Sequence, residues 1–186
     1  MSVAGLVLAA GAGRRFGGPK AIALLDGERL VDRATRLVRD GGCTPIVVVS
    51  GAVPLEVAGA RVVANTQWET GMGSSLRAGL TALRETDATA ALVVLVDTPW
   101  VGVDAVRRLL AAHDCGAVIA VATYDGAPRH PVLLSRDVWD EAERVAVGDV
   151  GARALMNSRP DLVVNVACDD TGDPRDVDVL GDLRVT

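Results

Sequence analysis

Val3-Ala4-Gly5-Leu6-Val7-Leu8-Ala9-Ala10-Gly11-Ala12-Gly13-Arg14-Arg15-Phe16-Gly17-Gly18-Pro19-Lys20 runs an unbroken apolar stretch into a glycine-rich, cationic turn. The apolar part, Val3 to Ala9, has the length of a strand buried on both faces. Charge follows it at Arg14 and Arg15 instead of preceding it, the reverse of a secretory leader. Glycines in the turn let the backbone approach a phosphate and aim its N–H groups at it, and Arg15 and Lys20 add cationic charge suited to a triphosphate. The spacing is not GxGxxG, because Phe16 follows the second arginine, which disfavours a nicotinamide oxidoreductase. Lys20 sits between Pro19 and Ala21, so the Gly-Lys-Ser/Thr core of a P-loop is missing as well.

Outward from this turn, strand-like and helix-like periods alternate to the end of the chain. Strands are expected at 46–49, 61–64, 91–96, 117–123, 131–134 and 162–167, and helices at 29–40, 73–85, 104–112, 137–147 and 149–157, with a turn at Tyr124-Asp125-Gly126. The second strand ends at Ser50-Gly51 without the acidic residue that binds a dinucleotide ribose. This rhythm predicts an α/β fold, a three-layer αβα Rossmann-like arrangement with a mainly parallel mixed sheet, as a single domain over residues 1–186. Ligands in such folds sit at the carboxyl ends of the strands.

Composition narrows the partners. The chain has 186 residues, 49% of them hydrophobic, and a net charge of −5, which argues against nucleic acid. Its apolar runs are too short to span a membrane. Three scattered cysteines, Cys43, Cys115 and Cys168, suit reduced thiols in a cytoplasm. Of the 19 basic residues only Lys20 is a lysine. A compact ammonium fits among phosphate oxygens where a planar guanidinium does not.

Four further constellations carry chemistry. Asp97 ends a buried strand just before Thr98-Pro99, placed to hold a hard cation. The tail Cys168-Asp169-Asp170-Thr171-Gly172-Asp173-Pro174-Arg175-Asp176-Val177-Asp178 is rich in carboxylates, and the apolar return through Val177, Val179, Leu180 and Leu183 implies that it docks. Asn65 to Arg77 contains Gly73, Ser74 and Ser75, which open a helix toward a ligand or simply cap it. Arg129-His130-Pro131 enters a strand, with His130 structural or functional on even terms.

Together these residues resemble the nucleotidyltransferases of molybdenum cofactor maturation, above all the cytidylyltransferases. The LAAGxGxRMGxPK signature is matched by Leu8 to Lys20 with Phe16 for Met, and GMGSSLRAGL by Gly71 to Leu80. GDQP corresponds to Val96 to Pro99, GHPVLF to His130 to Leu133, and the closing D-x-D motif to Asp176-Val177-Asp178. The resemblance implies an enzyme that moves a nucleoside monophosphate from an NTP to a phosphorylated small-molecule acceptor, releasing pyrophosphate. It implies Lys20, Arg15 and Asp97 as catalytic groups and Mg²⁺ held by Asp97 and Asp178. Nucleotide contacts fall on Leu8, Ala9, Ala10, Gly11, Gly13, Arg14, Lys20, Asn65, Gly73, Ser74 and Ser75, and acceptor contact on His130. Ala10 in LAAG favours CTP over GTP, the acceptor is molybdopterin or the molybdenum cofactor, and a molybdoenzyme or maturation factor is the protein partner. The alternatives are a pyrophosphorylase for a sugar, polyol or phospholactate phosphate, and a catalytically silent nucleotide-binding protein.

Overall fold

The computed structural model describes residues 2–184. Strand β1 (Val3–Leu8) leads through the glycine turn and a short 3-10 turn to a hairpin, β2 (Leu24–Leu25) and β3 (Glu28–Arg29). Then come α1 (Leu30–Asp40), β4 (Ile46–Ser50), β5 (Arg61–Ala64), α2 (Met72–Leu83), β6 (Ala90–Leu95) and α3 (Val103–Asp114). The remainder is β7 (Ile119–Tyr124), β8 (Ala127–Ser135), α4 (Trp139–Val145), α5 (Gly151–Ser158) and β9 (Val163–Ala167).

Seven strands form one sheet in the order β5-β4-β1-β6-β8-β7-β9. All are parallel except β8, which runs against both β6 and β7. The β7–β8 hairpin closes on Asp125-Gly126, whose φ values of 51° and 73° are those of a two-residue turn matching the twist of the strands. Asp26-Gly27 turns the β2–β3 hairpin in the same way, with φ of 54° and 82°. The expected strand at 131–134 is longer in fact, because the ladder with β7 resumes beyond an irregularity between Val121 and Ala122. There Val132 pairs with Val121 and Arg129 with Ala122, so His130 and Pro131 are the inserted residues.

Alternation along β1 splits the core in two. Val3 and Val7 face α1 and α3, while Ala4, Leu6 and Leu8 face α2, α4 and α5. Close approach is enforced on the second face: a Cβ on Gly79 of α2 would stand 2.4 Å from Leu6 Cδ1. On the same face Trp139 is fully buried and its indole N–H donates to Leu134 O at 3.0 Å. Among the described residues no helix is long and apolar enough to cross a membrane. Cys43 and Cys168 are buried and Cys115 exposed, all free. Burial pushes the Cys43 thiol up to about 12, as expected of a core residue with no redox task.

The chain leaves β1 for β4 on one side and returns to β6 on the other. The carboxyl ends of β1, β4 and β6 therefore splay around a topological switch point. The residues after β9 come back to this end of the sheet. Val177 N–H donates to Asp97 O at 2.7 Å, Val101 bridges Gly172, and the Arg175 guanidinium stacks 4.2 Å from the Trp100 ring.

Candidate active site

A cleft of about 400 Å³ opens at the switch point. Its walls are the end of β1 and the glycine turn (Leu8, Ala10 to Arg14, Lys20), the loop and first turn of α2, and the end of β6 with Asp97.

The glycine turn is tight for a reason visible at Gly13. Its φ is +58°, and a Cβ there would lie 2.0 Å from Gly18 O. Gly13 O in turn accepts the N–H groups of Gly17 and Gly18 at 2.9 and 3.2 Å. The turn thus folds back on itself and delivers Lys20 to the mouth of β6, where Nζ donates to Asp97 Oδ2 at 2.9 Å. The same ammonium stands 3.8 Å from Asp178 Oδ1, and Arg15 stands 3.7 Å from that atom. Burial separates these groups: the Lys20 and Asp97 side chains are 16% and 25% exposed, but Arg15 is 82% exposed and Asp178 54%. Lys20 and Asp97 form the half-buried centre, and Arg15 and Asp178 are exposed groups on its rim.

Asp97 Oδ1 is buried and has no hydrogen-bond partner among the described residues. A carboxylate oxygen held out of water without a donor is a costly arrangement, and a hard cation is a natural occupant. A third carboxylate, Asp176, completes the acidic side. It is open to solvent on one flank, and desolvation of the rest, then the charges of Asp97 and Asp178, raise its carboxyl above the ordinary range. Among the described residues no group of three or more His, Cys, Asp or Glu forms a metal cage of its own. That suits Mg²⁺, which takes one or two carboxylates and completes its shell with water and substrate phosphates. The donor set fits such an ion, with Asp97 as the first ligand and Asp178 or Asp176 as the second.

Of the residues expected from sequence to meet a nucleotide, Leu8, Ala10, Gly11, Gly13, Arg14, Lys20 and Ser75 line the cleft, as does Asp97, expected as a catalytic group and metal ligand. Ala9 stands apart because alternation along the strand turns its methyl into the α1 face of the core. Gly73 backs against Ala146, where a Cβ would stand 2.5 Å from the carbonyl oxygen, and Ser74 donates its hydroxyl to Gly71 O at 2.8 Å. Asn65 lies behind the two serines. His130 does not line the cleft either; it sits partly buried in the β8 irregularity, its Nδ1 3.4 Å from Val93 O. Burial holds the imidazole below its usual range, while the hydrogen bond to Val93 O and then the Asp97 charge act in the other direction.

Sequence reasoning passed over several lining residues. Trp68, Glu69, Gly71 and Met72 come from the loop and helix opening, and Leu95 and Val96 from the end of β6. Asp149 arrives on the strap between α4 and α5, a 3-10 turn over Gly148–Val150 that the periodicity had assigned to a helix start. Gly71 makes this possible: its φ is +110°, and a Cβ would sit 2.5 Å from Gly148 and 2.7 Å from Asp149 Oδ1. The Gly148-Asp149-Val150-Gly151 spacing was the only signal in the sequence.

Comparison with known proteins identifies the family of the chain. Residues 5–163 match the family described as MobA-like NTP transferase domain. The chain is 37% identical to nicotine blue oxidoreductase of Paenarthrobacter nicotinovorans over 96% of its own length and 93% of the relative's. It is 30% identical to molybdenum cofactor guanylyltransferase of Rhodobacter capsulatus, covering 89% of this chain and 90% of that one. Rv0371c from Mycobacterium tuberculosis H37Rv superposes with a TM-score of 0.81 at 28% identity, over 99% of this chain and 96% of the other. A second structure of Rv0371c is a complex with manganese, with a TM-score of 0.78 at 27% identity over 99% and 97% of the two chains.

Proposed function

The chain belongs to the MobA-like NTP transferase family, and on that premise we propose that it transfers a nucleoside monophosphate, CMP from CTP, to the terminal phosphate of molybdopterin or the molybdenum cofactor in the cytoplasm. The observation that carries this reading is the Lys20–Asp97 contact, with the buried free Oδ1 of Asp97 beside it.

In the reaction an oxygen of the acceptor phosphate forms a bond to the α-phosphorus while the α–β bridging bond breaks, and pyrophosphate leaves with the electron pair. Such transfers depend on positioning and charge stabilisation. The glycine turn presents backbone N–H groups to the phosphates, and Lys20 places an ammonium against the charge that accumulates on the leaving group. Arg15, exposed at the rim, adds a guanidinium to the same charge. Asp97 and Asp178 would hold Mg²⁺, which supplies neutralisation of the phosphate oxygens. The apolar stretch of the cleft, Leu8, Ala10, Trp68, Met72 and Leu95, accepts the base. Ala10, in place of the glycine of guanylyl-transferring relatives, supports CTP. His130, outside the lining of the cleft but on the strand next to the one that ends at Asp97, is the proposed acceptor-side group.

The test is a matrix of the four NTPs with molybdopterin and Mg²⁺, read as pyrophosphate release. Release with CTP supports the reading in full. Release with CTP only when a sugar, polyol or phospholactate phosphate replaces molybdopterin corrects the acceptor. No release with any pair rejects transfer.

A second reading has one specific observation behind it, the 37% identity to a protein named as an oxidoreductase. In that case the cleft would serve a redox reaction of nicotine blue, although the loop spacing disfavours a nicotinamide dinucleotide. Oxidation of NAD(P)H by the purified chain with nicotine blue, without pyrophosphate chemistry, would establish it.

A further inference from the structure

We infer that Asn65 acts on the nucleotide at one remove: it is a positioning residue that fixes the Ser75 hydroxyl as a hydrogen-bond donor to the base. The inference rests on the cleft being a nucleotide site and adds how that site reads its ligand.

The argument begins with an amide whose orientation is settled. The backbone N–H of Gln67 donates to Asn65 at 2.9 Å, and since an N–H can only donate, the atom it meets is the carbonyl oxygen Oδ1. The Nδ2 group therefore points the other way, where its two hydrogens reach Ser74 Oγ at 2.8 Å and Ser75 Oγ at 3.1 Å. Asn65, Ser74 and Ser75 are 6%, 4% and 5% exposed, so these bonds are not exchanged with water. Ser74 spends its own proton inside the protein, on Gly71 O at 2.8 Å and Gln67 O at 3.0 Å. Ser75 differs. It accepts from Asn65, finds no acceptor for its proton among the described residues, and lines the cleft.

Asn65 occupies one lone pair of the Ser75 hydroxyl and no described residue takes its proton, so that proton is left to serve an acceptor placed in the cleft. A buried donor without an acceptor is expensive, and a ligand atom that accepts removes the cost. Leu8, Ala10, Trp68, Met72 and Leu95 line the cleft with Ser75; the cationic charges, Arg14 and Lys20, come from the glycine turn, and the carboxylates are Asp97 at the end of β6, Glu69 on the loop before α2 and Asp149 on the strap. The ligand group that fits an apolar wall with one fixed donor is the carbonyl or ring nitrogen of a nucleobase.

The experiment compares two substitutions at Asn65 by the affinity for CTP in Mg²⁺, measured by titration calorimetry. Asn65→Asp keeps the shape and the bond from Gln67 but turns a donor into an acceptor. The Ser75 proton then swings to the new carboxylate and its lone pair faces the base. Asn65→Ala leaves the hydroxyl free to rotate and still donate. The expected result is a loss of about tenfold or more for Asn65→Asp against about threefold for Asn65→Ala, with the difference abolished when Ser75→Ala is also present. A role in loop stability alone gives the opposite ranking, because truncation removes more contacts than the near-isosteric change. That ranking, or a penalty for Asn65→Asp that persists with Ser75→Ala, overturns the inference. Ser75→Ala alone decides the matter if Asn65→Asp does not fold: a loss of about fivefold to tenfold is expected, and unchanged affinity overturns the donor assignment. Failure of the unsubstituted protein to bind any of the four NTPs is distinguishable from these outcomes and rejects the nucleotide reading itself, and the relay with it.

Discussion

Replacing Lys20 with Met keeps the length of the side chain and removes its charge, so it isolates what the ammonium does. At an effective dielectric near 20, a unit pair 2.9 Å apart attracts by about 6 kcal/mol before desolvation. The two side chains are 16% and 25% exposed, between the surface pairs that contribute about 0–1 kcal/mol and the buried ones that cost about 3–5 kcal/mol to break. A net loss of about 1–2 kcal/mol of stability follows, and for a chain of this size that is a fall in Tm of roughly 3–6 °C. The contact to Asp178, 54% exposed, adds little to this. Catalysis should suffer more. Removing one preorganised charge from a transition state typically costs about 3 kcal/mol, or ~10²-fold. Differential scanning calorimetry and steady-state pyrophosphate release, with kcat and KM separated, measure both effects on one preparation. A variant that loses the predicted Tm yet keeps kcat/KM within about threefold of the parent would show that Lys20 merely neutralises Asp97. The catalytic account would then be refuted.

Other expectations follow from the same geometry. Asp97→Asn should reduce turnover by ~10²-fold or more in the pyrophosphate assay while the thermal unfolding remains cooperative; near-parental turnover would remove Asp97 from the site. Asp176 is held above the ordinary carboxyl range in the folded chain, so the folded form binds its proton more tightly than the unfolded one. Stability is therefore lost as pH rises from the unfolded value through the raised one, and the penalty is complete above it. Asp176→Asn should accordingly melt higher than the parent at pH 7–8, with the gap closing toward pH 3; a lower Tm at neutral pH would contradict the repulsion. Gly71→Ala forces a Cβ against Gly148 at a φ of +110°, at a cost of about 1–3 kcal/mol. It should raise the KM for the nucleotide by displacing the Asp149 strap, and an unchanged KM with unchanged Tm would argue against that packing.

How far the sequence was readable depends on the range of the interaction that decides each feature. The parallel sheet and its helices announced themselves because continuous runs such as Ala91 to Val96 can be buried only between two layers. Asp97 was legible because it sits just beyond a strand of that kind, and Lys20 because it is the single lysine of the chain and closes the glycine turn. The β2–β3 hairpin was missed although Asp26-Gly27 is a strong turn signal, because two-residue strands leave no alternation to see. The 137–147 and 149–157 helices were placed nearly correctly, but the strap between them is set by Gly71, distant in sequence, and no local period records such a contact. Asn65 was recognised as part of a nucleotide motif. Its position behind Ser75 is decided by the N–H of Gln67 and the close turn of the loop, which only coordinates reveal. Asp176 was quoted within a motif without a role, since its raised proton affinity comes first from burial in the folded chain and then from the charges of Asp97, far away in sequence, and Asp178.

The account depends most on a single arrangement, one triphosphate lying between Lys20 and Asp97. Crystals grown with Mn²⁺ and a CTP analogue that cannot be cleaved between the α- and β-phosphates would test it through the anomalous signal of the metal. The expected map shows Mn²⁺ bound to Asp97 Oδ1 and to the triphosphate, with Lys20 Nζ in contact with the phosphates and the base against Ser75. A nucleotide bound elsewhere, or a metal that leaves Asp97 Oδ1 without a ligand, would contradict it.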